Sequence, residues 1–184
     1  MPSPIGHALA GIAAGWLADP PPGRDARGTM WRAAVFGAVA VAPDIDLLFG
    51  AHSGPTHGLG AAVMAGVFVW VLGGRVARLA AGRMASAEAG SPRRFRAALA
   101  VALAYASHTL LDWLGSDSTA PIGIMALWPF SHDYYESRLH VFMAISRRYW
   151  LPEFWASNAR ALAGELAILL PLAALVFFAR RRPT

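Results

Sequence analysis

The sequence has no cysteine in its 184 residues, which excludes a disulfide framework and a thiolate metal site. Any metal held by this chain must be bound through nitrogen and oxygen. Lysine is absent too, so all 16 basic residues are arginine. A basic leader is missing: only Met1–Gly6 precedes His7, and a secretory signal peptide needs positive charge at its start. Ser3–Pro4 reads instead as an N-cap followed by proline at the first helical position. The first apolar stretch is therefore expected to be a helix of the mature protein. No strand alternation or hairpin signal is present, which leaves an all-α fold class.

What the chain does have is apolar surface. Hydrophobic residues make up 56% of it and the mean hydropathy is +0.42, above the usual apolar share of a soluble domain. Its length suits one domain, residues 1–184, or one compact membrane bundle. Five apolar segments stand out: Ile5–Ala18, Ala33–Gly50, Leu59–Gly74, Ala97–Leu114 and Ala161–Ala179. Only the last approaches the roughly 20 residues that a bilayer requires. As a set, with Trp and Tyr near their ends, they predict a polytopic membrane bundle of about five apolar helices. The pI near 10.7 raises the question of nucleic acid, but the arginines sit in short clusters beside apolar runs. That placement suits a membrane-surface belt, and no nucleic-acid partner is expected.

Orientation follows from those clusters. Arg24, Arg27 and Arg32 fill the first connection; Arg75, Arg78, Arg83, Arg93, Arg94 and Arg96 fill the third; Arg180, Arg181 and Arg182 close the chain. Placed inside by the positive-inside rule, they put the amino terminus outside. His7, Asp44, Asp46, His57, His108 and Asp112 then reach the same outer level from four segments.

Their setting is costly. The stretch "APDIDLLFGAHSGPTHGLG", Ala42 to Gly60, puts carboxylates and imidazoles between runs built for lipid, where charge is expensive unless paired. A divalent cation would compensate the acids and use neutral imidazoles as ligands. His108 and Asp112 in "SHTLLDW" are one helical turn apart on one face, as two ligands of one ion or as a simple helix-stabilising pair. In "APDID", Pro43 favours an extended Ala42 and interrupts the helix, freeing Asp44 and Asp46 to aim at a shared point. Thr56 is placed to cap the next helix, with His57 entering it. His52 stands across a Gly–Pro turn from His57 as ligand, proton shuttle or plain loop. His132, Glu136 and His140 read as parts of a solvated loop.

These residues carry a resemblance. His7, "PDID", "HSGPTHG" and "SHTLLDWLGSD" followed by "WPFS" resemble the YdjM-type inner-membrane metal-dependent hydrolases, over about the first three quarters of the chain. That family is in turn similar to the zinc-dependent phospholipase C and P1 nuclease group. The resemblance implies a divalent metal, zinc, as one or two ions. Its ligands would be His7, one of Asp44 and Asp46, His57, His108 and Asp112. The chain departs from the YdjM-type pattern at Ser53 and Gly58, where that pattern has Arg and Ser, so an anion-binding guanidinium is missing there.

The expected function is a bacterial-type inner-membrane hydrolase with its site on the outer side. It would act on a phosphodiester or ester of a lipid-like substrate, with membrane lipid as its surroundings. A carboxylate of Asp44 or Asp46 not used on the metal would be the general base, and His52 joins them as a catalytic candidate. The rival reading is a non-catalytic membrane protein that uses the same cluster for metal binding or transport.

Overall fold

The computed structural model describes residues 1–22, 25–50, 53–81 and 92–181. Five α-helices dominate: α1 (Pro4–Ala18), α2 (Ala26–Val41), α3 (Leu59–Ala81), α4 (Pro92–Leu114) and α5 (Phe154–Arg180). Among the described residues there is no β-strand, only isolated bridges Gly115–Phe142 and Ile124–Tyr135 in the long loop after α4. The all-α expectation holds.

α1 starts as its first residues dictate. The Ser3 hydroxyl accepts from Gly6 N–H at 3.0 Å, and Pro4 follows where a missing N–H costs nothing. The helix then packs against α2, α4 and α5, while α3 packs on α4. Gly11 and Gly15 face α2. A Cβ at Gly11 would collide with that of Ala40, and one at Gly15 with the Phe36 ring. Small residues four apart let two helix backbones approach closely, which brings the last turn of α2 to the heart of the bundle. An apolar layer of Ala13, Trp16, Phe36, Ala100, Ala104, Ala173 and Val176 fills one end. A smaller one of Ala10, Leu111, Phe142 and Leu169 lies toward the other.

The segment Ala33–Gly50 is not one helix. α2 begins earlier, capped by Asp25, and ends at Val41; Ala42–Phe49 continues as a 3-10 helix. The expectation of an extended Ala42 fails, since its φ of −58° and ψ of −32° are helical. The reason is local. Pro43 enters the first turn of a new helix, where its lack of an N–H leaves no bond unmade, so the chain tightens instead of unwinding. A second 3-10 turn, Pro55–His57, precedes α3. Thr56 does not cap α3; its hydroxyl turns to Asp46.

The expectation of about five helices able to cross a bilayer is also corrected. Among the described residues two are long and apolar enough, α4 with 23 residues and α5 with 27. α1 has 15 residues, about 22 Å of helix, short of the roughly 30 Å hydrocarbon core. α2 has 16, and the apolar part of α3 ends at Gly73. Much of the outside is nonetheless greasy. Val63, Met64, Val67 and Phe68 of α3 and Ile168, Leu170, Leu172, Leu175 and Phe178 of α5 are all exposed, more apolar surface than water-soluble monomers usually show.

Candidate metal centre

α4 is the spine of the site. Its 3.6-residue period sets His108 and Asp112 on one buried face, with residue exposures of 0% and 2%. A neighbouring strip of α4 pins the Pro55–His57 turn: Tyr105 Oη donates to Thr56 O at 2.8 Å and Thr109 Oγ1 donates to His57 O at 2.8 Å. His57 is thereby fixed against the spine. α1 adds His7, one turn beyond its cap, and the Ala42–Phe49 helix adds Asp44 and Asp46. Six of the residues marked in the sequence thus meet in one cluster.

The spacing within the cluster is informative. His57 Nε2 lies 3.7 Å from Asp44 Oδ1 and 3.5 Å from Asp112 Oδ2. His108 Nε2 lies 3.9 Å from Asp44 Oδ1 and 3.0 Å from Asp112 Oδ2. At zinc–ligand lengths of about 2.0–2.2 Å, two ligands of one tetrahedral ion stand roughly 3.4 Å apart. The four atoms cluster around that value. His7 Nε2 approaches the other oxygen, Asp112 Oδ1, at 3.3 Å. Two donor groups overlap here, His7–His108–Asp112 and Asp44–His57–His108, with His108 common to both.

Three of these atoms approach their neighbours without bonding. Although His108 Nε2 and Asp112 Oδ2 are close, His108 Nε2 and both Asp112 oxygens are buried with no hydrogen-bond partner. Buried polar groups are nearly always satisfied, and a carboxylate left alone costs several kcal/mol by rough estimate. Atoms aimed at a common point, and not at each other, are the arrangement that a cation satisfies. The donor set fits a divalent metal.

The outer contacts orient the donors. His108 Nδ1 is 2.7 Å from Ala40 O, a carbonyl in the last turn of α2 where helix ends have unmade bonds. Nδ1–H donates there, which turns Nε2 and its lone pair inward. His57 Nδ1 is 3.1 Å from Thr56 Oγ1 and 3.4 Å from Asp46 Oδ2, and Thr56 Oγ1 donates to Asp46 Oδ2 at 3.1 Å. Asp46 thus supports His57 from behind, while Asp44 faces the donor atoms directly.

Charge tells the same story. Burial pushes His57 down, but the Asp44 and Asp46 carboxylates beside it outweigh burial and raise it to about 9. Burial pushes Asp46 up, but His57 and Thr56 bonding to it hold it below the usual carboxylate range. The His57 imidazole and these carboxylates thus favour one another's charged forms.

Other sequence candidates stay apart. His132 and His140 are exposed. Glu136 Oε1 accepts from Asp117 N at 2.8 Å, so the His132–Glu136 spacing builds no donor group. His52 lies outside the described residues. What sequence reasoning missed is the support: the Ala40 carbonyl, the Thr56 hydroxyl, and Glu165. Glu165 is buried on α5 and accepts from Ser3 N at 2.7 Å and from the Ser3 hydroxyl, fixing the start of the helix that carries His7. Its one legible signal is an acid alone within the apolar run of α5.

Comparison with known proteins gives one family. Residues 1–183 match the profile described as YdjM inner membrane protein. No curated protein and no solved structure matches. The chain belongs to the YdjM inner membrane protein family.

Proposed function

We propose that this protein is a metal-dependent hydrolase of the inner membrane, multi-pass, with its site toward the outer side. One observation carries the reading: nitrogen and oxygen atoms from four elements stand at metal-ligand spacing, and His108 Nε2 and both Asp112 oxygens are buried with no hydrogen bonds of their own. Asp44, His57, His108 and Asp112 would hold a zinc ion, and His7 would join through the second oxygen of Asp112, as ligand of the same ion or of a second. When bound, zinc supplies a Lewis acid and lowers the pKa of water to about 7.

The chain's own residues divide the remaining work. Asp46 and Thr56 hold the His57 ring in place. Asp44 keeps 23% of its side chain accessible and lines a cavity of about 380 Å³, so it is the ligand that an incoming substrate would meet first. On this reading Asp44 is a ligand and Asp46 the support of His57. The substrate would be an ester or phosphodiester of lipid-like character, entering by the cavity that Asp44 lines together with Leu47 and Leu151. The likeness of the ligand order to the phospholipase C and P1 nuclease group points the same way, by analogy alone.

A transport role has less support. Among the described residues the apolar layer of Ala13, Trp16, Phe36, Ala100 and Val176 includes no buried ionisable side chain. A polar path through the bundle would have to cross that layer.

The test is metal analysis of detergent-purified protein with a phosphodiester and lipid-ester screen, on wild type and Asp112→Asn. Wild type should carry zinc and lose thermal stability on chelation, because the unfolded chain has no assembled site. Asp112→Asn should be metal-poor, inactive and indifferent to chelator. Full metal and an unchanged chelator response in that variant would remove Asp112 from the ligands.

A further inference from the structure

The cavity beside Asp44 has a second charged wall that the cluster does not use. Arg147 and Arg148 line it together with Asp44, Leu47, Asp117 and Ser118. Neither guanidinium has a hydrogen-bond or ion-pair partner among the described residues. Asp117 does not neutralise the pair by direct contact; its Oδ1 accepts from Thr119 N at 3.0 Å and its Oδ2 from Gly123 N at 3.1 Å. The cavity therefore presents two guanidiniums with no hydrogen-bond or ion-pair partner among the described residues.

The segment bearing them is held in place. Asn158, in the first turns of α5, accepts from Ser146 N at 2.8 Å and donates to Ser146 O at 3.0 Å. Ile145 N donates to Met1 O at 3.0 Å, which ties the same segment to the chain preceding α1. Beyond the pair, Tyr149 N donates to Arg147 O and Leu151 N to Arg148 O, both at 3.0 Å. Guanidiniums on a pinned backbone lose less freedom on binding than on a loose one.

From the shared cavity, the unpaired guanidiniums and the pinned segment, we infer that Arg147 and Arg148 form an anion subsite for a phosphate-bearing headgroup. The planar fork of arginine matches phosphate oxygens bidentately. Two such forks suit a dianionic terminal phosphate better than a singly charged diester or a neutral ester. The pair is a specificity device: it grips a phosphate at the arginine wall and leaves the rest of the molecule to extend toward Asp44. This inference takes the substrate from the proposed hydrolase, yet the binding it describes can be read without turnover.

The experiment titrates detergent-purified full-length protein with inorganic phosphate by calorimetry, in metal-loaded and chelator-treated samples. The proteins are wild type, Arg147→Gln, Arg148→Gln, the double variant, and Arg138→Gln as a surface control. Wild type should bind phosphate in both samples. The double variant should bind at least about tenfold more weakly, the scale for losing hydrogen bonds to a charged group, with zinc content unchanged; each single variant should lose part, and Arg138→Gln nothing. Parallel titrations with glycerol phosphate and short-chain phosphatidic acid separate the sources of the phosphate. Equal affinity means a soluble phosphomonoester, and tighter binding of phosphatidic acid, lost in the double variant, means a lipid headgroup. Phosphate binding that disappears with the metal and ignores the arginines would overturn the subsite while leaving the metal centre intact. Arginine-dependent binding by a protein that never takes up zinc would do the reverse.

Discussion

Asp44 and Asp46 show how two identical side chains acquire different work from their neighbours. Both lie in one 3-10 helix, two positions apart. Asp44 Oδ1 faces His57 Nε2 and His108 Nε2, whereas Asp46 Oδ2 meets Thr56 Oγ1 and His57 Nδ1. Outer-shell partners of metal-binding histidines typically change metal affinity by 10–100-fold when removed. Asp46→Asn and Thr56→Val should therefore keep zinc at saturating metal but bind it about 10–100-fold more weakly, while Asp44→Asn should lose more. Competition with a fluorescent zinc chelator measures both. Equal losses at Asp44 and Asp46 would mean that the two carboxylates share the ion, contrary to the geometry.

At the scale of elements, α1 matters beyond the one ligand it carries. Its start is held by Ser3, whose backbone N–H and hydroxyl both donate to Glu165 on α5, and Glu165 is 1% exposed. An acid near a helix start also opposes the positive end of the helix dipole. Glu165→Ala would strand the Ser3 donor in an apolar setting, at a cost of about 1–3 kcal/mol. Melting in detergent should fall accordingly, and zinc affinity should weaken because His7 follows one turn later. Glu165→Gln keeps an acceptor for Ser3 N–H and should fall less. A silent Glu165→Ala would show that the α1 start is held by other contacts.

For the whole molecule, apolar helices surround a polar cluster gathered at one end. On the proposed orientation that end is outer. The complete lack of cysteine makes this easy to test, because single cysteines at Ser118, Ser157 and Arg93 report without background. An impermeant maleimide applied to intact cells should label the first two and spare Arg93→Cys. Labelling at Arg93→Cys with protection at Ser157→Cys would invert the arrangement. The Arg147–Arg148 pair is relevant here, since arginines are disfavoured on the outer side. On the proposed orientation the pair lies in an outer loop, and the anion subsite inferred above would give it a use there.

Much of this was legible from local pattern. The Ser3–Pro4 start of α1, the shared face of His108 and Asp112, and the absence of strands depend on residues within a turn or two of each other, and helical periodicity transmits that information directly. A candidate metal-binding set was legible as well, because acids and histidines between apolar runs demand compensation whatever the fold. Span length was misjudged where apolar character outran helix length, as in α2, whose apolar segment turns into a 3-10 helix at Ala42. The separate duties of Asp44 and Asp46, the Ala40 carbonyl behind His108, Glu165 beneath Ser3 and the arginine wall were decided only by tertiary structure. Each joins residues brought together by helix packing, at Gly11 and Gly15 among other places, or by the turn and loop that α4 and α5 hold in place. Alternation and spacing carry information along one helix, but which carbonyl meets which imidazole depends on how closely two helices approach, and that is set by packing across the bundle.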